Sequence, residues 1–326
     1  MTTNNLRPVA DAMLNGTFRL TGKMSHFDEH GRPYQRIRLS DCNQDHEVIA
    51  LADALTLPER LSHLDLLTVS AEAYQFNGQS AWQLTSAQRS TNEELVLLPA
   101  LQTLPRLYCP KPEYLDRLVS SVRSLQCAPL QEFVKCVLEY SPRLEVFLKA
   151  PASTKYHHNE PGGLLKHSLE VARNTVVMCR NNEPEMSREL QEVAYIAGLF
   201  HDIGKVYAYD IHGKPTGQGM LFDHADLTLE ACASGLAYLD HTAPDIAQLL
   251  RHIWTCASPG ARYGAAPAIT LARYVRDADG QSAMADNQRK AMKSRLSGFG
   301  SVGNNRYWLP VLSGLGLPHL QAQPHG

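Results

Sequence analysis

The hydrophobic period of this chain changes once, near residue 100, and no other feature limits the fold as much. Before that point apolar and polar residues alternate in short runs. GTFRLTGKMSHF (16–27), YQRIRLSD (34–41), HEVIALAD (46–53), LLTVSAEAYQF (66–76) and SAWQLTSAQ (80–88) each read as a strand, with turn chemistry at DEHGRP (28–33) and Asn77-Gly78. A short helix is expected over LPERLSHL (57–64), between the third and fourth strands. Five strands with a helix in that place is the order of an OB-like β-barrel. Beyond residue 112 the period becomes helical, from PEYLDRLVSSVRSL through GGLLKHSLEVARNTVVMCRNN and SRELQEVAYIAGLFHDIGK to PAITLARYVRDADGQSAMADNQRKAMKS.

With 326 residues the chain has room for two cores. The expected organisation combines α and β domains. An OB-like barrel occupies residues 1–95, a linker 96–112 and an all-α bundle 113–297, with a Gly- and Pro-rich tail over 298–326 to which no element is assigned. Lys and Arg number 31 against 33 Asp and Glu, so any contact with nucleic acid has to come from a local patch. The second strand offers one. Ile37 and Leu39 point to one side, and Tyr34, Arg36 and Arg38 to the other. An aromatic ring with two arginines suits stacking on bases and pairing with phosphates of a single strand; the alternative is a solvated face that carries arginines. Seven cysteines form no CxxC pair and read as reduced thiols. The start MTTNNLRPVADAML lacks a basic segment followed by an apolar core, and no apolar run reaches membrane-spanning length, so a cytoplasmic protein without membrane contact is expected. An oligomer is left open.

In AGLFHDIGK a helix with Val193, Ile196, Ala197 and Phe200 on its buried side ends in His201 and Asp202. Burying an ionised Asp is costly unless it is paired or bound to metal. A single His–Asp doublet is ordinarily a hydrogen-bonded pair. Here it has company: His157 and His158 in KYHHNEPGG, His167 in GGLLKHSLEVA, His224 in LFDHADLTLE, His252 in LLRHIWTC, and Asp277 and Asp279 in RYVRDADGQS. Imidazoles and carboxylates spread over several helices are how a bundle builds a metal site. The mixed N/O donors suit Mn²⁺, Mg²⁺, Fe²⁺ or Zn²⁺.

His167, His201-Asp202 and Asp279 match the H…HD…D signature of the HD superfamily of metal-dependent phosphohydrolases, which this chain resembles. The runs APASTKYHHNEPGGLLKHSLEVA, AGLFHDIGKV, LFDHADLTLE and DADGQSA are similar to two branches of it. One is the YhaM-type 3′→5′ exoribonucleases, with an OB-fold before the HD domain; the other is the HD domain of TraI/MobH-type relaxases. The resemblance implies His167, His201, Asp202 and Asp279 as primary ligands of one or two divalent ions, with His224 and His252 as further ligands. It implies His157 and His158 as additional metal or phosphate contacts, and Lys205 as a catalytic basic residue near the phosphate, beside Asp202. Asp277 competes with Asp279, which is preferred because Ser282 follows at the matching offset. Arg273 and Arg276, on the helix leading to Asp279, line a phosphate path or are solvated. The pattern departs at HIWTCASPG, where the exoribonucleases carry a His-His pair. The implied activity is metal-dependent phosphodiester hydrolysis, foremost 3′→5′ exonuclease action on single-stranded RNA or DNA. The alternatives are a phosphohydrolase of small nucleotides and a relaxase-like DNA-binding or nicking module with a degenerate site.

Overall fold

A computed structural model of the chain describes residues 13–28, 30–52, 57–76, 79–91, 101–139, 141–257, 262 and 264–311. Strands β1 (Met13–Phe27), β2 (Pro33–Ser40), β3 (Asp45–Leu51), β4 (Leu66–Phe76) and β5 (Gln79–Ser90) close into a barrel in the order β1-β2-β3-β5-β4. Neighbours are antiparallel except β3 and β5, which run parallel through Val48↔Trp82 and Ile49↔Gln83. Alternate side chains fill the inside: Phe18, Leu20, Ile37, Leu39, Val48, Ala50, Leu67, Val69, Ala71 and Leu84. This is the OB-like barrel that the alternation implies. The Asn77-Gly78 turn lies outside the described residues; β4 and β5 pair up to Phe76↔Gln79 on either side of it.

The helix expected over 57–64 does not form; these residues make turns. Arg60 and Leu64 adopt left-handed φ values of 51° and 67°, which a helix excludes. Leu57 and Leu61 pack onto the barrel core, and the Arg89 guanidinium donates to the carbonyls of Glu59 and Arg60 at 3.2 and 2.9 Å. A barrel side chain thus satisfies carbonyls that a helix would satisfy internally.

The described part of the expected linker is packed against both domains. The Cys42 N–H donates to the Gln102 carbonyl at 2.8 Å, and the Arg106 N–H to the Asp41 carbonyl at 2.8 Å. The Arg106 guanidinium bridges the Cys42 carbonyl (2.7 Å) and Asp116 (2.8 Å). Tyr108 lies under the Lys149 ammonium, 4.0 Å from the ring centre, with its hydroxyl 3.0 Å from His63 Nε2. Cys42 and Leu64 of the barrel domain belong to the core of the helical one.

The helices are α1 (Pro112–Arg123), α2 (Ala128–Glu139), α3 (Ser141–Lys149), α4 (Gly163–Asn182), α5 (Arg188–Phe200), α6 (Lys205–Ala208), α7 (Gly217–Leu221), α8 (His224–Ala231), α9 (Ala233–Thr242), α10 (Pro244–Thr255) and α11 (Thr270–Ala291). The stretch from Pro129 to Ala150, helical by period, is divided into α2 and α3, with Pro142 at the second helical position of α3. α4 packs along α5 and α11 at the centre of the bundle. Phe133, Phe147 and Phe200 interlock beside them, with ring centroids 5.9 and 6.4 Å from that of Phe200. The tail, unassigned by pattern, contributes a hairpin of β6 (Gly298–Val302) and β7 (Asn305–Leu309) that packs on α11. Among the described residues no helix is long and apolar enough to cross a membrane.

Candidate metal centre

Three central helices deliver the site. α4 begins after Gly162, whose φ of +76° admits the tight entry, and carries His167 fully buried on its inner side. α5 ends at Phe200, so that His201 and Asp202 fall on the turn before α6. That turn lies directly on α8: a Cβ on Gly204 would come 2.0 Å from the His224 carbonyl oxygen and 2.6 Å from the Thr228 nitrogen. The Thr228 hydroxyl pins the contact, 3.2 Å from the His201 carbonyl, 3.2 Å from the His224 carbonyl and 3.3 Å from the Gly204 nitrogen. α11 brings Asp279 to the same point.

The donor atoms converge. His167 Nε2 lies 3.1 Å from Asp279 Oδ1 and 3.6 Å from Asp202 Oδ2. His201 Nε2 lies 3.5 Å from Asp202 Oδ2 and 3.8 Å from Asp279 Oδ1. His224 Nε2 lies 3.3 Å from the other Asp202 oxygen. The protons of the two buried imidazoles are held elsewhere. The Ser282 hydroxyl donates to Glu170 (2.8 Å) and has one hydrogen, so at 3.1 Å it accepts from His167 Nδ1. His201 Nδ1 donates to the Gly198 carbonyl at 2.8 Å. Each ring therefore turns its Nε2 toward the carboxylates, and both atoms are buried without a hydrogen-bond partner. Two imidazole nitrogens and two carboxylates converging on one point are a donor set that fits a divalent metal ion.

The electrostatics agree. Burial works to raise the Asp202 carboxyl pKa, yet the Lys205 ammonium, His201 and His224 hold it well below the usual carboxylate range. Burial likewise opposes ionisation of Asp279, and the imidazoles of His167 and His201 keep it low. Burial opposes charge on His201, but Asp202 and Asp279 outweigh it and its pKa rises. The two carboxylates thus stay ionised, and the negative charge they gather favours a positive occupant, either a proton on His201 or a cation in its place. The His224 and Asp279 side chains, 33% and 46% exposed, open the cluster to solvent.

Behind His167 lies a second layer. His158 has no exposed surface and a left-handed φ of 44°, a conformation that costs about 1–3 kcal/mol. Its N–H donates to Asp286 at 2.7 Å and its carbonyl accepts from Ala152 at 2.9 Å, which holds it there. Its Nε2 lies 3.1 Å from the same Ser282 hydroxyl. Burial drives the His158 imidazole pKa down to about 3, so the ring is neutral at physiological pH. The His157 ring lies tilted beside that of His167 with centroids 5.3 Å apart, its pKa lowered by burial and by the neighbouring His167 and Lys205.

Of the residues singled out by sequence, His167, His201, Asp202, His224 and Asp279 come together, with His157 and His158 adjoining. Four are placed otherwise. Lys205, expected to reach a substrate phosphate, is buried, with Nζ on Asp202 Oδ2 (2.5 Å) and the Ala152 carbonyl (2.8 Å); a buried ammonium needs acceptors and these occupy it. His252, expected as a ligand, accepts the Ala268 N–H through Nε2 at 2.8 Å. Arg273 is exposed and paired with Asp277 at 2.9 Å, the residue weighed against Asp279. Tyr34, expected as a stacking surface, is 8% exposed; it packs with Ile49 and Tyr74 and stacks on His26, centroids 5.4 Å apart. Arg36 stands beside Glu47 at 3.4 Å, and Arg38 is exposed. Glu160, Glu170 and Asp286 were not among the residues singled out. Asp279, Ser282 and Asp286 are spaced i, i+3, i+7, and that spacing signals one face of α11.

Residues 164–284 match the HD domain family. The chain is 22% identical over 273 residues to the 3′-5′ exoribonuclease YhaM of Bacillus subtilis (strain 168), covering 81% of this chain and 83% of that protein. It is 33% identical over 104 residues to the dihydroneopterin 2′,3′-cyclic phosphate phosphodiesterase of Methanocaldococcus jannaschii, covering 32% of this chain and 36% of that one. Among solved structures, the mitochondrial single-stranded DNA binding protein Rim1 of S. cerevisiae matches 24% of this chain and 93% of its own, with 11% identity and a TM-score of 0.21.

Proposed function

We propose that the protein is a metal-dependent phosphodiesterase acting as a 3′→5′ exonuclease on single-stranded nucleic acid. The carrying observation is the convergence of the buried, partnerless Nε2 atoms of His167 and His201 on Asp202 and Asp279. These residues would hold the ion, with His224 beside Asp202. Bound there, a divalent ion would polarise the phosphoryl group and make water more acidic. In the hydrolysis an oxygen of water bonds to phosphorus, one P–O ester bond breaks, and the leaving oxygen takes up a proton. The chain's own part is positional. Ser282 and the Gly198 carbonyl fix the two imidazole rings, and Lys205 keeps Asp202 ionised and anchored to the Ala152 loop. The long similarity to YhaM, which spans barrel and helices together, supports a polynucleotide substrate and the exonuclease direction. Exposed Arg38, with Arg36 beside it, would meet phosphates on the barrel.

The shorter similarity to a cyclic-phosphate phosphodiesterase supports a second reading, hydrolysis of small nucleotides. One experiment separates the two. Single-stranded RNA and DNA labelled at the 5′ end are incubated with Mn²⁺, Mg²⁺ or EDTA, wild type beside Asp202→Ala. The expected result is a ladder that shortens from the 3′ end and is absent with EDTA and in the variant. Intact oligonucleotides with metal bound and 2′,3′-cyclic mononucleotides consumed would replace the first reading by the second.

A further inference from the structure

The β6–β7 hairpin presents a face that the metal centre does not use. Phe299 and Trp308 are cross-strand partners with ring centroids 6.4 Å apart, and they are 66% and 57% exposed. Strand alternation sets Ser301 and Arg306 on the same face. The opposite face is against α11: a Cβ on Gly300 would meet the Ala291 carbonyl oxygen at 2.2 Å. Phe299, Arg306 and Arg295 line one hollow of about 520 Å³, and both arginines are exposed. Neither arginine has an ion-pair partner among the described residues. Two exposed rings in register select a flat apolar partner, and two uncommitted guanidinium groups beside them select an anion. A single-stranded nucleic acid is both at once.

We infer that this hairpin is a binding site for single-stranded nucleic acid, with bases stacked on Phe299 and Trp308 and backbone phosphates on Arg295 and Arg306. The inference rests on the nucleic-acid substrate proposed above and adds a second contact point, in the helical domain. Its location fits that role. The hairpin turn lies on the exposed ring of Tyr156, where a Cβ on Gly303 would come 2.8 Å from Cε1. Tyr156 directly precedes His157 and His158, and the hairpin rests on α11, which supplies Asp279. The aromatic pair stands three residues from the turn, roughly 10 Å along the strands. A strand held there borders the loop that walls the metal centre.

The test is fluorescence anisotropy with 12-nucleotide single strands, fluorescein at the 5′ end and phosphorothioate linkages at the 3′ end, titrated with the full chain. Phe299→Ala with Trp308→Ala should weaken binding at least ten-fold, and Phe299→Tyr with Trp308→Phe should restore most of it. Arg295→Gln with Arg306→Gln should weaken binding and lower the slope of log K against log salt by about 1.4, the share of two phosphate contacts on a single strand. Hydrolysis of bis(p-nitrophenyl) phosphate should be unchanged in all of them. Unchanged affinity in both double variants, with wild-type binding intact, overturns the hairpin site and leaves the nucleic-acid reading standing. Failure of the wild type to bind either RNA or DNA overturns both. A self-association lost in the aromatic variant by sedimentation velocity, with oligonucleotide affinity unchanged, makes the face an interface between copies of the chain instead.

Discussion

His158, Glu160 and Asp286 come as close together as His167, His201 and Asp202 do; in each trio one ligand atom per residue lies within 4.8 Å of the others. By proximity the two clusters are equivalent, and their surroundings separate them. Asp286 meets Lys290 at 2.9 Å, Arg289 at 3.1 Å and Lys166 at 3.5 Å, and accepts the His158 N–H. Glu160 meets Lys166 at 2.7 Å and Lys290 at 3.7 Å. Side chains already supply the positive charge there, and the result is a structural ion network. Around His167, His201 and Asp279 no lysine or arginine takes that place among the described residues; Lys205 alone serves Asp202. His158 Nδ1 is likewise buried without a hydrogen-bond partner, 3.6 Å from Asp286; what separates the two clusters is whether lysine and arginine already supply the positive charge, not the closeness of donors.

That contrast is broken most sharply by exchanging one carboxylate in each cluster for an amide. Asp202→Asn should leave almost no metal per chain by mass spectrometry and lower hydrolysis roughly a thousand-fold or more, since the lost charge stabilisation amounts to several kcal/mol. Asp286→Asn should retain metal and activity but lower the melting temperature. Its carboxylate holds an ammonium, a guanidinium and the strained His158 backbone together, worth about 2–3 kcal/mol once the partial exposure of Lys290 and Arg289 is allowed for. Metal loss from Asp286→Asn with an unchanged melting temperature would erase the distinction between the two clusters.

Ser282 sharpens the comparison, because its hydroxyl belongs to both clusters. It accepts from His167 on one side and His158 on the other while donating to Glu170. Ser282→Ala removes the acceptor that keeps the His167 proton on Nδ1. Metal affinity, measured by competition with a chelating dye, should weaken by about 10–100-fold, the usual cost of losing an outer partner of a ligand histidine. Stability should fall by only about 1–2 kcal/mol. If affinity held and stability alone dropped, Ser282 would belong to the structural network only.

The sequence exposed the centre more fully than its surroundings, for a physical reason. An imidazole or carboxylate at the end of an apolar helical run is conspicuous, so His167, His201, Asp202 and Asp279 stand out. Whether a polar residue is spent depends on partners far along the chain. Lys205 reads as a phosphate contact until the Ala152 carbonyl, 53 positions earlier, is seen on its ammonium. His252 reads as a ligand until the Ala268 N–H is found on its ring. The barrel was legible because alternation is local. Its missing helix was not, since the Arg89 guanidinium that holds those turns comes from β5. Tyr34 and Arg38 share a face by parity, but only the register that sets His26 opposite Tyr34 explains why the tyrosine is covered.

The smallest expected effect falls on a residue that sequence placed beside the phosphate. Arg273 lies on α11 six residues before Asp279, and its guanidinium is committed to Asp277 four residues on, with the two side chains 56% and 40% exposed. An exposed i,i+4 pair contributes about 0.3–0.5 kcal/mol and is screened by salt. Its partner is Asp277, whereas the carboxylate beside His167 and His201 is Asp279. Arg273→Ala should therefore leave kcat/KM on a labelled single strand within about two-fold, a change equal to roughly 0.4 kcal/mol, and should not alter metal content. The informative measurement is the dependence of kcat/KM on salt, compared with that of Arg38→Ala. A slope lowered by Arg38→Ala and unchanged by Arg273→Ala would assign the polyanion contact to the barrel. The reverse would return Arg273 to the phosphate path and require the Asp277 pair to open when substrate binds.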